Sequence, residues 1–181
     1  NPINNWGINL DIRGDIHNNG FWKPGATYVA TKKIQHISQA IGKVFENQFT
    51  IRDGSGYVDT NGSLIATSPL TFSHELYMNW RYIDMDSFPV TMTAAGHLSW
   101  GTIKNASDIY FRDSSFFYNT IAEGKTMHLH GIARIDGNVT FNGDVIVHDT
   151  MQHTGGLGWV TPTFIGSVTN NGLIRNNPIN N

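Results

Sequence analysis

A seven-residue pattern, Gly-x-[Val/Ile]-x-x-Asn-Gly, occurs four times and favours short strands that end in tight turns. In each copy the β-branched residue favours a strand, and the Asn-Gly pair tolerates the positive backbone angles of a tight turn. Because strand side chains alternate between two faces, we expect the branched residues to be buried and the residues before them to face solvent. The copies begin at Gly14, Gly56, Gly137 and Gly166; the expected buried residues are Ile16, Val58, Val139 and Val168, and the expected exposed ones are Asp15, Tyr57, Asn138 and Ser167.

The spacing of the copies predicts how often the chain winds around an axis. The interval from Gly14 to Gly56 suits about two coils of a helix of stacked strands, and the interval from Gly56 to Gly137 suits about four. The interval from Gly137 to Gly166 suits about one, and so does the interval from Gly166 to Gly14 of a following repeat. In this class of fold each coil packs only on its neighbours. The predicted fold is therefore all-β, a β-solenoid of about eight coils averaging about 22 residues.

The pentapeptide Asn-Pro-Ile-Asn-Asn occurs at residues 1–5 and again at 177–181. The same segment at both ends of one period is typical of a tandem array. We therefore interpret residues 1–181 as a single β-solenoid repeat unit with a 176-residue period and a five-residue overlap. Because no linker-like run of Ser, Gly or charge separates one period from the next, successive repeats are expected to abut.

The segment from Ile34 to Phe49 has two open interpretations. Its apolar residues follow helical spacing, which predicts a short helix near residues 34–45. Gly42 interrupts that pattern, and the second interpretation is a pair of strands, Lys33–Ile37 and Lys43–Ile51.

Composition limits the classes of partner. Charged residues make up 14% of the chain, below the usual quarter, and the net charge of −2 gives no electrostatic reason to expect nucleic acid. No apolar run approaches the ~18 residues that a membrane span requires. The chain has no cysteine, which excludes disulfides and thiol chemistry.

Three runs resemble, in order, the NGTFxPGTGTVxF, QTISG and FxNLTIxxSSG segments of secreted tandem-repeat β-solenoid proteins of Bacteroidetes-type bacteria. They are Gly20–Ala30, Ile34–Ser38 and Phe45–Gly56. The stretches Gly131–Gly143 and Gly166–Ile174 are similar to the GxVTNNG coils of those proteins. The resemblance implies a β-solenoid in a secreted filament or on a cell surface, with an extracellular or cell-surface location. It transfers no catalytic residues.

Two groups of polar residues are candidates for chemistry. Asp84 and Asp86 would share one strand face, as do the acid/base carboxylates of pectin-cleaving β-helix hydrolases, but the accompanying signatures of those enzymes are missing, so we expect solvated turn carboxylates. His128 and His130 also share a strand face, a spacing that suits Zn or Cu. A fuller ligand set would need Asp136, His148 and Asp149, and exposed strand histidines are the competing interpretation. We expect no catalytic residue, no metal site and no cofactor.

The five tryptophans do not recur at the predicted coil spacing. We therefore interpret the aromatic side chains chiefly as stacks that fill the solenoid, with sugar-stacking platforms as the alternative. The tryptophans are Trp6, Trp22, Trp80, Trp100 and Trp159.

The function predicted from these features is structural and non-enzymatic: an extracellular filament or stalk built from head-to-tail β-solenoid repeats. The second interpretation is an adhesin or carbohydrate-binding module whose partner is a surface polysaccharide, and the third is a polysaccharide-degrading β-helix enzyme. The main expected partner is an adjoining copy of the repeat, with strand Ile8–Ile12 pairing to a segment near Ser167–Ile174. The expected repeat–repeat interface consists of Ile8, Leu10, Ile12, Val168, Leu173 and Ile174.

Overall fold

The computed structural model of the chain describes residues 8–30, 34–52, 64–93, 96–153 and 161–176. These residues form strands joined by turns and include no helix, so none that could cross a membrane. The strands are β1 Asn9–Ile12, β2 Ile16–Asn18, β3 Ala26–Ala30, β4 Gln35–Gln39, β5 Gln48–Arg52, β6 Leu64–Ala66, β7 Leu70–Phe72, β8 Leu76–Asp84, β9 Val90–Met92, β10 His97–Phe111, β11 Ser115–Leu129, β12 Ile132–Val147, β13 Thr150–His153, β14 Thr163–Ile165, β15 Val168–Asn170 and β16 Leu173–Asn176.

Every strand pairs in parallel with strands of neighbouring coils, which places the strands on three faces. Face 1 stacks β1, β3, β5, the starts of β8, β10, β11 and β12, then β13 and β16. Face 2 stacks β2, β4, β6, the end of β8, the middles of β10 to β12, and β14. Face 3 stacks β7, β9, the ends of β10 to β12, and β15. Parallel strands stacked in this way along one axis confirm the predicted β-solenoid.

The coils differ in length. We call the number of residues between two positions that pair in neighbouring coils the step. The step is short from Asn9 to Ala26 and much longer from Phe49 to Leu76. Between Phe117 and Ile135 the step is again short. Turn chemistry fixes where a strand ends, but the number of residues in each corner sets the step, so the coil length varies along one axis.

In the long strands β10 to β12 a single residue turns the corner between face 1 and face 2. Trp100, Asn119 and Gly137 have φ values of 55°, 46° and 74°, and the strand register shifts beside Trp100 and Asn119. We call this column, which begins at Trp80 with φ of 64°, the first corner. A residue in the left-handed region reverses the local bend without a loop, so the ladder continues on the next face.

The interior is a column of apolar side chains in which phenylalanines are the largest. Phe45, Phe49 and Phe72 meet with ring centroids 5.3 to 5.4 Å apart. Further along the axis Phe117 lies 4.6 Å from Phe111 and 5.3 Å from Phe141. All of these side chains are buried, so each coil contributes apolar surface to both of its neighbours.

The segment from Ile34 to Phe49 forms strands, and the short helix near residues 34–45 does not form. Strand β4 occupies Gln35–Gln39, a turn follows in which Gly42 has φ of 74°, and Phe45 makes a bridge to Phe72. The apolar residues at helical spacing are explained by alternation, because Ile37 is buried whereas Ile34 and Ile41 are exposed. The two-strand interpretation was therefore the right one.

The four-copy motif is confirmed in part. Ile16 and Val139 are buried, and Asp15, Asn138 and Ser167 are exposed, as predicted. Val58 and Tyr57 lie outside the described residues. Val168 is 41% exposed, so the prediction of near-complete burial was wrong for this residue. The physical reason is that Val168 belongs to the last described coil, which is covered from one side only.

The copies also do not all occupy one place in the coil. Val139 follows the first corner and pairs with Thr120 on face 2. Val168 pairs with Val145 on face 3. The motif therefore marks local strand–turn chemistry that the fold uses at different corners, and it does not mark equivalent positions of successive coils.

Candidate functional site

The last described coil presents an apolar surface along the axis. Phe164 stacks on Phe141, with ring centroids 5.3 Å apart and planes 12° from parallel. In the same coil Val168 pairs with Val145, and Ile174 pairs with Met151. The residues beneath are buried, whereas Ile174 is 44% exposed. These inward-facing positions continue the core column by one layer, and among the described residues nothing covers them.

The first described coil offers a second, smaller apolar surface. Leu10 pairs with Thr27 and Ile12 with Val29, both of which are fully buried. Leu10 and Ile12 are half-buried, and Ile8, just before the strand, is exposed. The register therefore places Leu10 and Ile12 on the interior side at this end.

The six predicted interface residues do not all point the same way. Val168 and Ile174 face inward at one end, as Leu10 and Ile12 do at the other. Leu173 pairs with Thr150, a half-buried residue on the outer side of face 1, and is itself exposed. Leu173 thus lies on the lateral surface of the solenoid, next to the end surface rather than within it.

The Asp84 carboxylate is engaged in a turn, whereas Asp86 is exposed and contributes its backbone N–H. Asp84 accepts hydrogen bonds from the Asn105 side-chain amide at 2.9 Å and from the backbone N–H of Asp86 at 3.1 Å, and Lys104 lies 3.5 Å away. Partial burial acts to raise the pKa of Asp84, but these hydrogen bonds and the Lys104 charge hold it below its usual range. Asp84 is thus an ionised turn carboxylate that joins two coils, and a general acid needs the opposite shift.

Histidines from two coils meet on the outer surface between face 3 and face 1. His128 Nδ1 lies 3.2 Å from His148 Nε2, and the His130 ring stacks on His148 with centroids 4.1 Å apart. Partial burial, together with His148 and Arg112, lowers the pKa of both His128 and His130, whereas Asp108 and Asp149 act in the opposite direction. Among the residues that the structure describes, no three His, Cys, Asp or Glu side chains converge as metal ligands.

A row of aromatic rings runs along the axis at the first corner, on the outside of the solenoid. Trp80 lies 4.7 Å from Trp100, which lies 5.0 Å from Tyr118, and successive planes are turned by 72° and 64°. Trp80 is 69% exposed, and Trp100 and Tyr118 are half-buried. We call these three residues the aromatic strip.

The interpretation that aromatic stacks fill the core is confirmed for the phenylalanines, with Trp22 packed against them, whereas Trp80 and Trp100 lie on the outside. Trp6 and Trp159 lie outside the described residues. Trp80 and Trp100 do recur at coil spacing, one coil apart, and the rings that fill the core are phenylalanines. Sequence reasoning missed the strip because an average step of about 22 residues is longer than this local one. A search at the local step would have placed Trp80 and Trp100 in neighbouring coils.

A groove on face 2 lies beside the aromatic strip. Gly101 lets the preceding coil approach closely there, because a β-carbon at this position would overlap the Met78 side chain and the Arg81 carbonyl. The backbone N–H of Asn138 donates to Asn119 Oδ1 at 2.9 Å, which orders one wall. The lining residues are Trp80, Gly101, Thr102, Asn119, Thr120, Ile121, Asn138 and Thr140.

Neither a protein-family model, nor a curated protein, nor a solved structure matches this chain.

Proposed function

We propose that this chain is the structural repeat of an extended β-solenoid filament or stalk, in which each repeat is continued by a further copy. The observation behind the proposal is the last described coil, where inward-facing Val168 and Ile174 stay about two-fifths exposed. Unpaired strand edges and uncovered apolar side chains are a template for another strand. In this proposal the next repeat covers the last described coil, and the chain has no enzymatic activity.

The spacing of the repeated pentapeptide supports one particular continuation. With a 176-residue period, Leu10 of the next copy is as far along the chain from Val168 as Ile135 is from Phe117, which is a short coil step, shorter than the one from Val145 to Val168. The proposed junction uses a short step of this kind. Inward-facing Leu10 would then stack on inward-facing Val168, and Ile12 on Asn170. In a covalent array with such a short step, β1 of the next copy lies on β15 and continues face 3.

Separate subunits that stack end to end, with their faces aligned, would make a different junction. In that arrangement β1 of one subunit lies on β16 of another, because both strands belong to face 1. Leu10 and Ile12 would then cover the inward-facing side of β16, which includes Ile174, and Asp11 would lie on Arg175. The two junctions differ by one face of the solenoid, so they can be distinguished by experiment.

The extracellular or cell-surface location is part of the same proposal. Its support is the resemblance to secreted repeat proteins and the low proportion of charged residues, 14%, in a chain without cysteine. A fold in which each coil is hydrogen-bonded to its neighbours does not need disulfides outside the cell.

The test compares chains of one, two and four repeats by light scattering and electron microscopy. We expect particles whose length rises by about 43 Å per repeat, given the nine strands stacked on face 1 at a spacing of ~4.8 Å. We also expect the single repeat to associate end to end, and the substitution of both Val168 and Ile174 by lysine to abolish association. Lysine at Thr169 and Leu173, on the lateral surface of the same coil, is the matched control. A two-repeat chain that folds as two separate compact bodies would contradict the proposal.

Engineered cysteines identify the junction, because the chain has none of its own. In a two-repeat chain, Thr169→Cys in the first copy and Asp11→Cys in the second should form a disulfide if β1 continues face 3. Arg175→Cys with Asp11→Cys should form one if the copies stack with faces aligned. Parallel neighbours in register bring their α-carbons to ~5 Å, within the range that a disulfide spans. Failure of both pairs to cross-link would exclude both junctions.

A further inference from the structure

The aromatic strip and the face 2 groove beside it have no part in the proposed filament junction. They lie on the lateral surface, several coils from either described end, and each ring belongs to a different coil. Further copies that extend the solenoid along its axis would leave these residues uncovered. Any function that they have therefore differs from assembly.

Backbone conformation is the first indication that the exposed indoles are functional. Trp80 and Trp100 have φ values of 64° and 55°, in the left-handed region that bulky residues rarely adopt. The same corner is formed by Asn119 and Gly137 in the next two coils, and those residue types adopt this conformation at little cost. The turn therefore does not require tryptophan, and strain of this kind is typical of functional positions.

The second indication is that the rings are held in fixed positions. Trp100 packs edge to face against both Trp80 and Tyr118, and Tyr118 lies parallel to Phe116 at 6.3 Å. Trp80, at the end of the row, keeps most of its surface in contact with solvent. A rigid exposed indole loses little conformational entropy when it binds a ligand.

The third indication is the chemistry of the groove. None of its eight lining residues carries an ionisable side chain, and the polar side-chain groups among them are Thr hydroxyls, Asn amides and the Trp80 indole N–H. Hydroxyls and primary amides both donate and accept hydrogen bonds. Such a lining suits a ligand rich in hydroxyl groups and gives no electrostatic preference for a charged one.

We infer that the aromatic strip and the face 2 groove bind a neutral polysaccharide chain. The C–H face of a pyranose ring is apolar and stacks on an indole, whereas its equatorial hydroxyls hydrogen-bond at the rim. Here Trp80 and Trp100 provide the apolar platforms, and Thr102, Asn119 and Asn138 provide the hydrogen-bonding groups. Because one repeat contains the whole strip, a filament would present the site once per repeat and bind with avidity.

The test is native affinity electrophoresis of the single repeat through gels that contain hydroxyethyl cellulose, xyloglucan, galactomannan or laminarin. Polygalacturonate and alginate serve as charged comparisons. We expect at least one neutral polysaccharide to retard the protein, with quenching or a shift of tryptophan fluorescence on binding. Retardation by none of the neutral polymers, or equal retardation by the charged ones, would overturn the inference.

The substitutions Trp80→Asn and Trp100→Asn separate binding from folding, since asparagine accepts the left-handed conformation. Each should weaken binding about tenfold, a change of about 1.4 kcal/mol, without lowering the melting temperature. Phe21→Asn is the matched control, because Phe21 is a 90% exposed aromatic residue outside the aromatic strip, and this variant should bind as the wild type does. If the tryptophan variants retain full affinity, or if light scattering shows that the strip mediates dimerisation of the wild type, the inference is wrong.

Discussion

Val168 lies directly on Val145 in the parallel ladder of face 3, yet Val145 is fully buried and Val168 is 41% exposed. The two residues have the same side chain, the same strand conformation and the same inward direction. They differ only in whether a further coil covers them. The pair therefore measures the contribution that one covering coil makes to burial.

The substitution Val145→Ala should cost about 2 kcal/mol of unfolding free energy in a single repeat, because a fully buried side chain loses two methyl groups. Val168→Ala in the same chain, measured at a concentration low enough to keep the repeat monomeric, should cost less than about 1 kcal/mol, since part of its surface is then in water. Urea denaturation gives both values. In a two-repeat chain, the Val168→Ala cost in the first copy should rise towards that of Val145→Ala. An unchanged value there would mean that the next repeat does not cover Val168.

Gly143→Ala should destabilise the fold by about 3 kcal/mol. Gly143 has φ of 136°, and a β-carbon there would overlap the carbonyl oxygen of Gly124 in the preceding coil. Gly20→Ala is the control, because a β-carbon at Gly20 meets no other atom within 4 Å. Thermal and urea unfolding should show Gly20→Ala within about 0.5 kcal/mol of the wild type. Equal effects of the two substitutions would disprove the close packing of Gly143 against Gly124.

Stability should fall as the pH drops below about 6.5, the ordinary histidine pKa. The pKa values of His128 and His130 are lowered in the folded protein, so below about pH 6.5 the unfolded chain binds more protons than the folded one. Each histidine therefore adds stability at higher pH, and that contribution is lost as the pH falls towards the folded-state pKa.

The substitution His148→Asn should reduce this loss, because it removes the ring that lies 3.2 Å from His128 Nδ1 and stacks on His130. Urea denaturation at pH 7.5 and pH 5.5 measures the difference for each variant. His74→Asn, outside the cluster, should retain the wild-type difference. A pH dependence unaffected by His148→Asn would show that the histidine cluster does not cause it.

Asp144→Ala should loosen the last described coil and leave the remainder of the solenoid intact. Asp144 Oδ1 accepts hydrogen bonds from the Ser167 backbone N–H at 3.0 Å and from the Ser167 hydroxyl at 2.7 Å, and these bonds lower the pKa of the carboxyl. Hydrogen exchange should accelerate in β15 and β16 and stay unchanged in β11. The same acceleration is expected when acid protonates Asp144. Unchanged exchange in β15 would contradict this role.

The sequence by itself determined the class of the fold and its local conformations. Short runs of branched and aromatic residues that end in Asn-Gly favour strands with tight turns, and such signals act over a few residues. Burial of Ile16 and Val139, exposure of Asp15 and Asn138, and the turn near Gly42 follow from alternation and turn chemistry alone.

The tertiary structure decided which residues stack on one another. The length of each step depends on how the corners of that coil are built, and pairing between coils is set by contacts distant in sequence. For that reason Trp80 and Trp100 form an exterior row that an average period does not identify, and Val168 stacks on Val145 and not above Val139. Exposure of the last coil is likewise a property of the stack, because the burial of each residue depends on the coil that lies on top of it.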